Sequence, residues 1–294
     1  MELKEARKKK HSKVKAVSFL TLFDNKRFSG YFNYISVVIS NESEMQELHT
    51  NGCFGKANFS RSYPTSLLNE NRGEIVRKRV YDRRKEWGSK NSTKDVKKLI
   101  VVPDSESDDD YFTDLKPQYN IDRSKIKEVL NLSLDEAFFL NNFVKCLDIL
   151  YEGKVMEKND VWALFKQTDR YFTQNYLVYH YFRSKNWVVK PGIKFGGDFL
   201  LYKDGPLFYH ASYLIIIDVL DRTTMERKND LVRRSMEAIK IVALNRLCET
   251  VGKELLICQI LWPAEILEPE PNNFDKFSIN EVLMRRWISS ENRE

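Results

Sequence analysis

Tyr202, His210 and Lys253 are side chains of the types that can cleave RNA without a metal. The first two lie in the stretch from Lys194 to Ile217, KFGGDFLLYKDGPLFYHASYLIII, and the third lies in GKELLIC. In that chemistry the substrate's own 2′-hydroxyl is the nucleophile. The protein supplies a base for its proton, an acid for the departing 5′-oxygen and a fixed cation for the charge developing at phosphorus. Tyr202 fits the base, His210 the acid and Lys253 the cation. A free tyrosine has a pKa near ~10, so Tyr202 needs neighbouring positive charge, for which Lys253 is the obvious source, or it must act late in the proton transfer. His210 must be cationic, which a reference pKa of about 6.5 makes accessible.

The elements around these residues set a condition on the reading. If FLLY and FYHAS are adjacent antiparallel strands, Tyr202 and His210 share a face only when the loop between the strands has an odd number of residues. A three-residue loop at Asp204-Gly205-Pro206 sets Tyr202 opposite Phe208, with His210 one diagonal step away at roughly 7 to 8 Å. A four-residue loop defeats that arrangement unless Tyr202 has already left the strand. Spacing alone leaves two readings open: a catalytic group, or a packed strand tyrosine with a core histidine.

Further elements can be placed along the chain. AVSFLTLF and RFSGYFNYISVVIS, between Ala16 and Ser40, read as strands, followed by a short helix over Glu42 to His49 that Asn51-Gly52 stops. The two glycines of NGCFGK around Cys53-Phe54 indicate a tight turn. EIVRKRVYDRRKEW, Glu74 to Trp87, reads as a basic amphipathic helix, either a solvated face or an RNA contact. Ser133-Leu134-Asp135-Glu136 has the form of a capping box, and the apolar stripe of AFFLNNFVKCLDIL after it predicts a buried helix. Helices follow near Asn159 to Lys166 and over Thr173 to Lys185, then strands at VVK, FLLY and FYHASYLIIIDVL. A helix over Ser235 to Thr250, a strand over Glu254 to Leu261 and an extended piece near Phe277 to Ser289 complete the chain. This order predicts a mixed α/β fold.

Composition bounds the function. The 294 residues are enough for two domains with their own cores. The net charge of +6 is offset locally by DSESDDD at Asp104 to Asp110, and the rest is clearly basic, which points to an anionic partner. Tyrosines and tryptophans beside lysine or arginine suit RNA as well as an ordinary core. Cys53, Cys146, Cys248 and Cys258 are far apart and have no zinc spacing, as expected of reduced thiols. No segment reaches membrane-span length and the N-terminus lacks a signal-peptide core, so a soluble, intracellular protein is expected. The basic cluster from Arg7 to Lys15 reads as a nuclear address, an RNA-binding arm or a solvated, disordered tail. His180, Tyr209 and Tyr213 read as structural, and Asp198, Asp204 and Asp218 form no convincing acidic metal cluster.

The run YHYFRSKNWVVKPGIKFGGDFLLYKDGPLFYHASY resembles the catalytic subunits of the tRNA splicing endonuclease. LSLDEAFFL at Leu132 to Leu140, GCFGK at Gly52 to Lys56, SRS at Ser60 to Ser62 and EVLMRRWISS at Glu281 to Ser290 look most like the eukaryotic subunit that cleaves the 5′ splice site. The resemblance covers most of Ala16 to Ser290. It places the family's catalytic tyrosine, histidine and lysine on Tyr202, His210 and Lys253, with no metal and no cofactor. An RNA-binding pair of arginine and tryptophan falls on Arg246 and Trp287, which can sandwich an unpaired base. The chain departs from the family pattern at Leu207, where a second proline is expected, at Gly252, where a serine is expected, and in a short linker.

Charge and composition give a basic, disordered tail over 1–15 and an acidic linker at about 103–116, and the resemblance implies an N-terminal α/β accessory domain over 16–166 that this linker interrupts. A C-terminal nuclease domain with a central mixed sheet follows over 167–294. It further implies an intron-containing precursor tRNA as substrate, cut at the 5′ junction to leave a 2′,3′-cyclic phosphate and a 5′-hydroxyl. The expected partners are a second catalytic subunit and two structural subunits. The expected location is the nucleus, with cytoplasm or an organelle surface as alternatives. The 3′-site catalytic subunit and a non-catalytic RNA-binding or scaffold subunit are the competing assignments.

Overall fold

The computed structural model describes residues 6–9, 23, 26–58, 63–64 and 128–285. The expected basic helix at Glu74 to Trp87, the acidic stretch and Trp287 lie outside these residues. The chain divides into a larger unit, up to Gly55 and from Asn131 onward, and a smaller one from Lys56 to Leu130.

In chain order the elements are β1 (Phe28–Phe32), β2 (Val37–Ile39), α1 (Glu42–Gly52), β3 (Lys56–Ala57), β4 (Leu130–Leu132) and α2 (Leu134–Phe138). A π-helical turn (Phe139–Phe143), β5 (Leu147–Tyr151), β6 (Lys154–Val155), α3 (Lys158–Thr168) and α4 (Phe172–Ser184) follow. The last part holds β7 (Val188–Pro191), β8 (Phe199–Tyr202), β9 (Tyr213–Asp221), α5 (Ala238–Thr250), β10 (Glu254–Trp262) and β11 (Ser278–Met284). In the smaller unit the Asn58 amide donates to the Val129 carbonyl at 3.3 Å.

The larger unit carries two mixed sheets, in agreement with the expected α/β class. In the first, β2, β1, β5 and β6 lie side by side, with β1 antiparallel to β2 and parallel to β5. FSGYF in β1 alternates buried and exposed positions, as a strand with one covered face does. The second sheet has the order β11-β10-β9-β8-β7, with β9 parallel to β10 and antiparallel to β8. Its central strand β9, YLIIIDVLD, is buried from Tyr213 to Leu220, which requires cover on both faces. One face meets α4, where the Tyr179 ring lies 6.2 Å from Phe199. The other meets α5, whose Cys248 packs with Leu200, Leu214, Ile216 and Leu255.

The capping box forms as its spacing predicts. The Ser133 hydroxyl accepts from the Glu136 amide at 3.2 Å and the Glu136 carboxylate accepts from the Ser133 amide at 3.1 Å. The long buried helix expected after it does not form. Residues 139–143 loosen into a π-turn, Lys145 turns left-handed with φ 59°, and LDILY becomes β5 paired to β1. A short run that is buried all round has the same apolar content in either state, so its periodicity does not decide between them. Aromatic packing anchors this region: Phe138 meets Tyr176 edge-on at 4.8 Å, and Trp162 lies 4.9 Å from Phe172.

Candidate active site

Three strand ends meet at the peptide of Ser212. Its amide donates to the Leu201 carbonyl at 2.9 Å, and its carbonyl accepts from the Glu254 amide at 3.0 Å. The register pairs Leu201 with Tyr213 and Tyr213 with Glu254. One step further along both ladders, Tyr202, Ser212 and Lys253 form a row across the sheet. Opposed residues share a face, so this row continues the face of Leu200, Leu214 and Leu255 that α5 covers. His210 precedes Ser212 by two residues, the spacing at which an extended chain returns to the same face.

The expected three-residue hairpin does not form, and His210 lies outside the ladder to which the parity condition applies. β9 begins at Tyr213 rather than Phe208, so the connection from Tyr202 to its neighbour Ser212 is 203–211, an odd number of residues. The strand starts late because the chain first closes a compact turn. The Gly205 carbonyl accepts the amides of Phe208 at 3.1 Å and Tyr209 at 3.0 Å, and Pro206 has no N–H to give to a ladder. Gly205 itself has φ +108°, and a Cβ there would lie 2.7 Å from the Cys53 sulfur. Glycine is therefore required twice over, by backbone conformation and by space.

The three side chains sit in different surroundings. Tyr202 is half-buried and packs, with Phe195, Met236, Ile241 and Leu244, against the α5-covered cluster. Burial raises the pKa of its phenol above the usual value. The Lys253 ammonium lies 4.3 Å over the Phe195 ring and donates to the Val251 carbonyl at 3.3 Å. Burial lowers its pKa, against a smaller upward pull from Cys248. His210 is exposed, and its backbone amide donates to the Arg7 carbonyl at 3.0 Å. The expected activation of Tyr202 by Lys253 is thus not present in the free chain: the ammonium rests on Phe195, and desolvation moves the phenol the other way.

The turn of Gly52 to Lys56 buttresses this site from behind. Cys53 is left-handed with φ 54° and caps α1. Arg183 from α4 donates to the Gly52 carbonyl at 2.8 Å and stacks 4.1 Å from the Phe54 ring. The Glu136 carboxylate accepts the Gly55 amide at 3.1 Å and the Lys190 ammonium at 2.8 Å, and Lys190 also donates to the Gly55 carbonyl at 3.0 Å. Sequence reading caught the GCFGK turn but not its task, because the partners that hold it are remote along the chain.

The rival candidates are occupied elsewhere. Asp218 is fully buried and takes two bonds from Arg227, at 2.8 and 3.0 Å. Asp198 accepts from Arg234 at 2.7 Å and from the Ile217 amide at 2.9 Å. His180 meets the Phe143 ring edge-on at 4.8 Å, and burial lowers its pKa. Among the described residues no group of three or more His, Cys, Asp or Glu side chains could hold a metal ion, and no helix is long and apolar enough to cross a membrane. Arg246 is exposed on α5, and Trp287, its expected partner, lies outside the described residues. Residues 6–9, within the expected tail, pair with the loop that carries His210: Lys8 bridges Tyr209, and the Lys9 amide donates to the Phe208 carbonyl at 2.8 Å.

Two family models match the chain: the tRNA intron endonuclease N-terminal domain over residues 28–162 and its catalytic C-terminal domain over 172–262. Among curated relatives, the mouse tRNA-splicing endonuclease subunit Sen2 is 40% identical over 172 residues, covering 58% of this chain and 36% of the mouse protein. The chicken protein of the same name is 38% identical over the same shares. A fission-yeast protein, the probable tRNA-splicing endonuclease subunit sen2, is 27% identical over 331 aligned positions, 88% of this chain and 85% of its own. The matched segment thus spans about a third of the length of the vertebrate relatives.

Proposed function

This chain belongs to the tRNA intron endonuclease family, and on that premise we propose that it is a catalytic subunit of a tRNA splicing endonuclease that cuts precursor tRNA at the 5′ exon/intron junction. The observation that carries the reading is the Ser212 junction. It puts Tyr202 and Lys253 in one row across adjacent strands and His210 two residues along the chain from that row.

In the proposed reaction the 2′-oxygen attacks phosphorus, the bond from phosphorus to the 5′-oxygen breaks, and a 2′,3′-cyclic phosphate and a 5′-hydroxyl result. Tyr202 receives the 2′ proton, His210 in its cationic form gives a proton to the 5′-oxygen, and Lys253 meets the negative charge on the phosphoryl oxygens. Burial holds the phenol high, so Tyr202 takes the 2′ proton as its phenolate, formed when the phenol gives its own proton to solvent. Lys253 leaves Phe195 for the phosphate, a move that also brings its charge toward the phenol. No step calls for a metal ion.

The 5′ assignment is supported by LSLDEAFFL and GCFGK, which resemble the 5′-site subunit. The proposed partners are a second catalytic subunit and two structural ones, and the proposed location is the nucleus. The test is cleavage of an intron-containing precursor by the reconstituted complex in EDTA. His210→Ala is expected to slow 5′ cutting by about 10²- to 10⁴-fold while 3′ cutting persists. Activity lost in EDTA would defeat the metal-free step, and undiminished 5′ cutting by the variant would defeat the role of His210.

A further inference from the structure

The N-terminal segment is joined to the loop that carries the proposed acid. The His210 amide donates to the Arg7 carbonyl at 3.0 Å, and the Lys9 amide donates to the Phe208 carbonyl at 2.8 Å. These bonds flank the antiparallel Lys8–Tyr209 bridge. The half-buried Lys9 side chain adds a further bond to the Pro206 carbonyl. The bridge makes Arg7 the residue directly opposite His210, and opposed residues of an antiparallel pair share a face. Arg7 and Lys8 are both exposed and enter no ion pair among the described residues. Lys8 shares its face with Tyr209, whose ring has the Lys203 ammonium 5.7 Å from its centroid. Lys9 therefore anchors the segment while Arg7 and Lys8 present charge on opposite faces.

We propose that residues 6–9 are a substrate-binding arm in which the Arg7 guanidinium, beside His210, clamps a phosphate of the RNA next to the bond that is cut. The inference rests on the proposed function, since it takes the ligand to be the RNA that His210 acts on. A guanidinium suits the position because its planar fork binds two phosphate oxygens at once, and it stays charged while the neighbouring imidazole gives up its proton. Lys8, on the opposite face, reaches a second phosphate along the strand. Pairing through the backbone means that side chains can change without releasing the arm.

The test uses the reconstituted complex in two forms. Affinity is measured as a function of salt in a His210→Ala background, on an intron-containing precursor whose 3′ junction carries a 2′-deoxy nucleotide so that neither junction is cut, and single-turnover cleavage is followed with His210 intact. Arg7→Ala is expected to weaken binding by about 5- to 10-fold. It should also flatten the slope of log affinity against log salt by about 0.7 to 0.9, the mark of one lost phosphate contact. Arg7→Lys should recover the slope but only part of the affinity. Lys9→Pro, which removes the N–H given to Phe208, should lose as much as Arg7→Ala with no fall in the melting temperature of the complex. Lys154→Ala, which removes an exposed cation on β6, should change neither quantity. Unchanged affinity and slope in Arg7→Ala would overturn the arm, and so would faster cleavage, which would make the segment a cover over the site. Wild-type protein that cuts only the 3′ junction would instead sink the functional reading, whatever the ratio between variant and wild type.

Discussion

Replacing Glu136 by alanine tests whether the Gly52 to Lys56 turn is held in the way described. The carboxylate is 6% exposed and accepts three donors: the amides of Ser133 and Gly55 and the Lys190 ammonium, whose side chain is 17% exposed. Removing it leaves the Lys190 charge with the Gly55 carbonyl as its remaining partner among the described residues, deprives Gly55 of an acceptor and deletes half of the capping box. Stranding one member of a buried pair costs about 3 to 5 kcal/mol, and the cap is worth about 1 kcal/mol, so a loss of about 4 to 6 kcal/mol is expected. Lys190→Met leaves the carboxylate its two amides and should cost about 2 kcal/mol. The double variant no longer carries a stranded charge, so its loss should fall short of the sum by about 2 kcal/mol. Urea unfolding followed by tryptophan fluorescence measures all three, with an unchanged m-value as the check that the unfolding transition is the same. A loss below about 1 kcal/mol for Glu136→Ala, or additivity within about 0.5 kcal/mol, would refute the reasoning.

Other perturbations have equally definite outcomes. Gly205→Ala meets both a left-handed backbone and the Cys53 sulfur, so it should destabilise by about 2 to 4 kcal/mol and slow cleavage by displacing the His210 loop, as melting and single-turnover assays would show. Lys253→Met should cut the rate by about 10²- to 10³-fold but shift stability by no more than about 1 kcal/mol, since among the described residues the ammonium meets Phe195 and the Val251 carbonyl. Burial first, then Lys190, lowers the pKa of His49 to about 4, so between pH 6.5 and 4 the unfolded chain holds the extra proton. Stability should therefore fall by about 3 kcal/mol as pH drops through that window, and His49→Gln should remove this slope in urea titrations. Asp135 runs the other way: burial, then Asp169 and Glu136, push it up to about 8, so the native state keeps a proton that the unfolded chain has lost. Stability should decline by about 2 kcal/mol from pH 6.5 to 8, and Asp135→Asn should flatten that limb.

Local rules were legible wherever neighbours in sequence decide the outcome. Ser133 and Glu136 announce their cap, TQNYLVYHYFRSK a helix, and YLIIIDVL a strand. The boundary at Lys145 was not legible, because a left-handed turn by lysine is imposed by the β1–β5 pairing rather than by its own preference. At the site, the length of the connection between β8 and β9 could not be read, since Gly205 organises a turn only with Cys53 behind it. The state of Tyr202 was missed for the same reason. Its surroundings come from Phe195 and from α5, and the lysine expected to act on it is turned toward Phe195. The segment that meets the His210 loop gave only a basic composition, which is equally compatible with no contact at all.

The peptide of Ser212 makes part of the site quantised. Tyr202 and Lys253 are fixed by ladder register, and a ladder can change only by whole residues, about 3.3 Å at a step, with a change of face at every odd one. Gradual sequence drift therefore cannot retune the distance between them; it can only preserve it or abolish it. His210 stands outside the ladder, on a loop tied to Arg7 and propped by Cys53. Adjustment to different RNA backbones falls to this one member, and inherited variation in reactivity should collect in the loop and its props while the strand ends stay unchanged.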